Sequence, residues 1–106
     1  MKLDTLEILT DTIRARRTAI AEMSYTRQLL DAGSSKCAKK FGEEAVELLI
    51  AATSEDDVAL HNETADVIYH LLVLLESRNS SLGPVLDILA ERHGISGLDE
   101  KASRNS

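Results

Sequence analysis

Apolar residues recur at three- and four-residue spacing along most of this chain, and no run alternates cleanly between apolar and polar. That period lines one stripe of a helix, whereas a strand needs a period of two. An all-α fold is therefore expected. Leu6, Leu9, Ile13, Ile20 and Met23 predict a first helix over about residues 3–22. Ser24 is placed to cap a short second helix that stops at Ala32 and Gly33. Ser34 or Ser35 is placed to cap a third, running to about residue 52. Ser54 precedes Asp57 by three, a variant of the capping box, and so starts a fourth helix that runs to about Ser77. Asn79 and Ser80 break it. Pro84 suits the first turn of a fifth helix, capped by Ser81 or Gly83 and ended by Gly94. The expected architecture is a bundle of about five helices in a single domain over residues 1–106, with a polar C-terminal tail at 95–106.

The fourth helix strains that picture. Val67, Ile68, Leu71, Leu72, Leu74 and Leu75 wrap more than one of its faces, and a helix apolar nearly all round is buried on several sides. With aromatic residues at only 3%, aliphatic side chains must fill the core. A chain this short buries only about two thirds of its unfolded surface, too little to cover such a helix alone. A homodimer with the fourth helix near a shared core is expected.

Charge and cysteine content exclude several classes. Twelve Lys plus Arg against 18 Asp plus Glu leave a net charge of −6, which argues against nucleic acid as a partner. A lone cysteine, Cys37, makes neither an intramolecular disulfide nor a Cys-based zinc site, and fits a reducing, cytoplasmic setting. The apolar runs at 45–52 and 67–75 are too short to span a bilayer and are interrupted by Glu47, Tyr69 and His70. The N-terminus lacks a signal-peptide core. A soluble protein is expected.

The informative acids are Glu44, Glu47, Glu63 and Asp66. Each pair is spaced i, i+3, so both members share a helix face. If helices three and four form an antiparallel hairpin turning at Glu55, Glu47 lies eight residues before the turn and Glu63 eight after. Glu44 lies eleven before and Asp66 eleven after. At about 1.5 Å rise per residue the pairs then sit at equal heights, roughly 12 and 16 Å from the turn. Taken singly, each acid is what any solvated helix face carries. Together, flanked by Ala45, Val46, Leu48, Leu49, Ala65 and Val67, converging carboxylates need a partner, and an oxygen-seeking divalent cation supplies one. A di-iron bundle would need Glu-x-x-His pairs, and no histidine lies three residues after a Glu. His70 follows Asp66 by four and can stand behind the ligands. Glu43 points about 100° from Glu44 and is open to three readings: orienting a water, binding a second metal, or simple solvation.

Lys36, Lys39 and Lys40 open the third helix, where cations oppose the macrodipole. Lys40 is four residues before Glu44 and shares its face. These lysines suit an anionic substrate, or equally a solvated patch. Arg92 and His93 suit the C-terminal dipole of the fifth helix. Lys101, Ser103 and Arg104 lie in the polar tail, which brings phosphate-binding groups if it is ordered.

Glu43-Glu44-x-x-Glu47 followed after a gap by Glu63-x-x-Asp66 is similar to the metal-binding signature of the all-α nucleotide pyrophosphohydrolases. Ser-Tyr-Thr at 24–26, Lys-Phe-Gly-Glu-Glu-Ala-Val-Glu at 40–47, Glu-Thr-Ala-Asp-Val-Ile-Tyr-His at 63–70 and the segment 92–104 narrow the match. Together they resemble the phosphoribosyl-ATP pyrophosphohydrolase family over nearly the whole chain. The resemblance implies a MazG-like helical bundle, usually an intertwined homodimer. It implies magnesium-dependent hydrolysis of the α–β phosphoanhydride of phosphoribosyl-ATP, giving phosphoribosyl-AMP and pyrophosphate, the second step of histidine biosynthesis. It assigns Glu44, Glu47, Glu63 and Asp66 as metal ligands, with Glu43 as an accessory acid. Either Glu43 or Glu47 is then the group that orients or deprotonates water. Lys40, Arg92, Lys101, Ser103 and Arg104 become candidates for substrate binding. A fused cyclohydrolase domain, carried by some relatives, is not expected. Phe41 departs from the smaller aliphatic residue more usual there, which touches only local packing. Two other readings compete: a house-cleaning nucleoside triphosphate pyrophosphatase, and a non-enzymatic helical dimerisation module.

Overall fold

The computed structural model describes residues 4–93. Among them it is all-α, with no strand. The helices are α1 (Asp4–Ala15), α2 (Tyr25–Ala32), α3 (Ser34–Ser54), α4 (Asp57–Ser77) and α5 (Leu82–His93), with 3-10 turns at Arg16–Thr18 and Ala21–Met23.

The long helices α3 and α4 pack along each other, joined by Glu55 and Asp56 alone. So short a link makes them an antiparallel hairpin. Helices α1 and α2 lie against α4, and α2 also meets α3. Ile13, Leu29, Cys37, Leu72 and Val73 form the buried core, with Leu9, Leu30, Tyr69, Leu74 and Leu82 packed around it. Each aliphatic side chain buried there contributes about 1.5–3 kcal/mol relative to exposure. Cys37 behaves as one more apolar residue: burial pushes its thiol pKa up, and Sγ donates to the Leu29 carbonyl at 3.2 Å.

Several element ends differ from the sequence expectation. The first helix stops at Ala15 rather than near residue 22. The backbone turns extended at Ala19 (ψ 164°) and Ile20 (ψ 119°), and side chains of α2 hold that path. Arg27 donates to the Ala19 carbonyl, and Gln28 donates to that of Ala21 at 2.8 Å. Neither Ser34 nor Ser35 caps α3; the flanking residue is Gly33, at φ 95°. That left-handed backbone is cheap only for glycine, and its N–H closes α2 on the Leu30 carbonyl at 3.2 Å. Ser54 does not start α4, because its hydroxyl donates back to Ile50 at 2.8 Å within α3. Asp56 caps α4 instead, accepting from the Ala59 N–H at 3.0 Å. The Ser24 cap does form, with Oγ accepting from the Arg27 N–H at 3.1 Å. Ser81 directly precedes α5, while Gly83 lies inside its first turn. Gly94 lies outside the described residues.

At the C-terminal end of α4, Glu76 is buried and draws two arginines onto itself. Arg17 meets its carboxylate at 2.6 Å and also donates to its backbone carbonyl, and Arg14 meets it at 3.5 Å. This clamp fixes α1 and the following turn to α4.

Much apolar surface stays uncovered in one chain. Val46, Leu49 and Ile50 form an exposed stripe on α3, and Leu86, Ile88 and Leu89 are exposed on α5, which contributes no buried residue. No described helix is long and apolar enough to cross a membrane.

Candidate metal centre

The two-residue link between α3 and α4 sets their register, and that register brings carboxylates together across the hairpin. One oxygen each from Glu44, Glu63 and Asp66 lies within 4.8 Å of the others. Glu44 and Glu63 are half-buried and Asp66 is exposed. Glu63 and Asp66 share a face of α4 through their i, i+3 spacing, and Glu44 reaches both from α3.

These acids disturb one another. Partial burial, and then the charges of Asp66, Glu44, Glu47 and Glu55, push the Glu63 carboxyl above its ordinary pKa. Like charges this close favour a shared proton or a bound cation. The donor set is purely oxygen, matching magnesium, manganese or calcium rather than a softer metal. On both counts the cluster fits a divalent ion.

Glu47 is exposed and does not belong to this tight group, although its charge is felt at Glu63. The equal-height reading pairs Glu47 with Glu63; in the structure Glu44 is the α3 acid that groups with both α4 carboxylates. Glu43 is exposed and ion-paired with Lys40 at 3.3 Å. Its carboxylate holds the Lys40 ammonium above the usual range, with smaller contributions from Tyr25 and Glu44. Lys40 thus stands beside the cluster, as its spacing suggests. Arg92 and His93 are exposed in the last turn of α5. Lys101, Ser103 and Arg104 lie outside the described residues.

Behind Glu44 stands His70, buried on α4, with Nε2 4.0 Å from Glu44 Oε1. Tyr69 and Tyr25 present their rings edge-on to it, with centroids at 5.0 and 6.2 Å. The sequence offers one hint of this, the Tyr69–His70 break in an apolar run. For the exposed Tyr25, periodicity carries no signal. A cavity of about 550 Å³ lies elsewhere, between α1 and the start of α5. Its lining includes Arg14 of the Glu76 clamp, so it belongs to the far end of α4.

Fold and cluster together define an all-α protein whose central hairpin gathers three carboxylates. Comparison with known proteins makes the class specific. The model of the phosphoribosyl-ATP pyrophosphohydrolase family matches residues 6–93. A phosphoribosyl-ATP pyrophosphatase 1 of Rhodopseudomonas palustris is 55% identical over 100 residues, 94% of each chain. A protein of the same name from Bradyrhizobium diazoefficiens is 54% identical over 100 residues, again 94% of each. A phosphoribosyl-ATP pyrophosphatase of Dinoroseobacter shibae is 51% identical over 102 residues, covering 96% of this chain and 100% of its own. This chain belongs to the phosphoribosyl-ATP pyrophosphohydrolase family.

Proposed function

We propose that this protein hydrolyses the α–β phosphoanhydride of phosphoribosyl-ATP at the Glu44–Glu63–Asp66 cluster, releasing phosphoribosyl-AMP and pyrophosphate in the second step of histidine biosynthesis. The observation that carries this reading is the convergence of three carboxylates across the α3–α4 hairpin, in a chain about half identical along its length to phosphoribosyl-ATP pyrophosphatases. Glu44, Glu63 and Asp66 would hold magnesium, with Glu47 reaching in as a further ligand. When bound, the ion supplies charge neutralisation for the phosphate oxygens and the departing pyrophosphate. The chain's own residues do the rest. Glu43 or Glu47 orients or deprotonates the attacking water. Lys40 attracts the polyphosphate to the start of α3, and Arg92, Lys101, Ser103 and Arg104 complete the substrate contacts. Two copies form a homodimer through the uncovered stripes of α3 and α5. The enzyme works in the cytoplasm.

A substrate panel tests the reading. Pyrophosphate release from phosphoribosyl-ATP should exceed that from common nucleoside triphosphates by at least ten-fold in kcat/KM, about 1.4 kcal/mol of discrimination. Equal rates across the panel would favour a house-cleaning triphosphatase. Absence of turnover together with absence of magnesium binding would favour a dimerisation module. Glu47→Gln separates the acids: unchanged turnover at saturating magnesium would remove Glu47 from the machinery.

A further inference from the structure

We infer that His70 is a positioning residue for Glu44: its Nε2–H faces the Glu44 carboxylate and fixes how that carboxylate meets a cation. This rests on the reading of Glu44 as a metal ligand. His70 is only 6% exposed, and it does not contact the other two acids of the cluster at ion-pair distance. The ring has two nitrogens, and it can hold Glu44 only if the one facing that carboxylate carries a proton.

The surroundings decide which nitrogen. Nδ1 is buried without a hydrogen-bond partner, while Nε2 looks at Glu44 Oε1 from 4.0 Å. A proton on Nδ1 would bury an unpaired donor and set the Nε2 lone pair against a carboxylate, two costs at once. A proton on Nε2 gives the donor an acceptor and leaves only a bare lone pair at Nδ1. The Nε2–H tautomer follows.

The ring's plane is also held. Tyr69 meets it at an interplanar angle of 77° and Tyr25 at 86°, both edge-to-face. The Tyr69 hydroxyl is itself hydrogen-bonded to Thr26. Through Tyr25 and Thr26, α2 buttresses a side chain that points at the α3 ligand. The 4.0 Å separation is about 1 Å beyond a hydrogen bond, a gap that a turn of the Glu44 side chain closes. With one oxygen engaged by Nε2–H, the other is left directed to the ion. Such partners of ligating carboxylates typically change metal affinity by about 10–100-fold when removed.

The test uses the full-length protein, uniformly labelled with ¹⁵N. Long-range ¹H–¹⁵N correlation at neutral pH should show His70 as the Nε2–H tautomer, with Nε2 shifting on addition of magnesium alone. A ring with its proton on Nδ1 alone overturns the inference. Calorimetry with magnesium should find His70→Leu weakened by roughly 10–100-fold, with helical content by circular dichroism retained, and His70→Gln, which keeps an N–H donor, largely rescued. If Gln falls as far as Leu, His70 is merely structural and the inference fails. Glu44→Gln separates the two claims. Loss of binding there with none in His70→Leu sinks only the positioning role, whereas unchanged binding in Glu44→Gln sinks the site assignment beneath it.

Discussion

Glu63 sits half-buried among the charges of Asp66, Glu44, Glu47 and Glu55, and that strain is specific enough to measure. Its folded pKa is raised, so as pH climbs above the ordinary value of 4.5 the unfolded chain loses this proton before the folded one does. Folding therefore loses stability from Glu63 as pH rises through that window, and the loss persists at neutral pH. Glu63→Gln should raise the urea midpoint of the metal-free protein at neutral pH, while weakening magnesium binding. The stability gain should fade below pH 4.5, where the carboxyl is protonated in both states. A variant less stable than wild type at neutral pH would refute this account. At this scale the sequence made three of the four acids legible, because hairpin arithmetic needs only the helical rise and the turn position. The same arithmetic set Glu47 level with Glu63, yet Glu47 stands outside the tight group. Whether a side chain turns into the groove depends on the rotation of α3 about its own axis, which spacing does not set.

Helix α4 does two jobs along its length. Its first half supplies Glu63 and Asp66, and its last turn supplies the clamp on Arg14 and Arg17. Glu76→Gln keeps the shape and removes the charge. It should destabilise the fold by about 2 kcal/mol, in the range for hydrogen bonds to charged groups. Chemical denaturation at fixed protein concentration measures this, and magnesium affinity should stay near wild type because the clamp lies about 15–20 Å along the helix from the cluster. The element count, the α3–α4 turn and the α2 cap could be read from the chain, since each rests on local signals. The early end of α1 could not. Its apolar period continues through Ile20 and Met23, but the backbone is extended at Ala19 and Ile20, a path held by long-range bonds from the Arg27 and Gln28 side chains. Ser54 failed as a cap for a related reason: a hydroxyl inside a helix bonds back to its own turn, and Asp56 stood two residues closer to the need.

For the molecule as a whole, apolar faces stay open on α3 and α5. Its radius of gyration is 16.4 Å, against roughly 13 Å for a compact chain of this length. Leu49 is 64% exposed in the middle of an apolar stripe on α3. The apolar girth of α4 already hints at a dimer in the sequence. That α3 and α5 also carry uncovered apolar faces was hidden, because exposure depends on which neighbours pack where. Leu49→Arg should shift sedimentation from dimer toward monomer and lower thermal stability in a concentration-dependent way. A dimer that survives this change would place the interface elsewhere.

The two tyrosines beside His70 are the only ones in the chain, and there is no tryptophan. Near-ultraviolet absorbance and emission therefore come almost wholly from one small neighbourhood. The protein is its own optical probe: a magnesium titration followed by tyrosine emission, or by near-ultraviolet circular dichroism, reads events beside Glu44 without any attached dye.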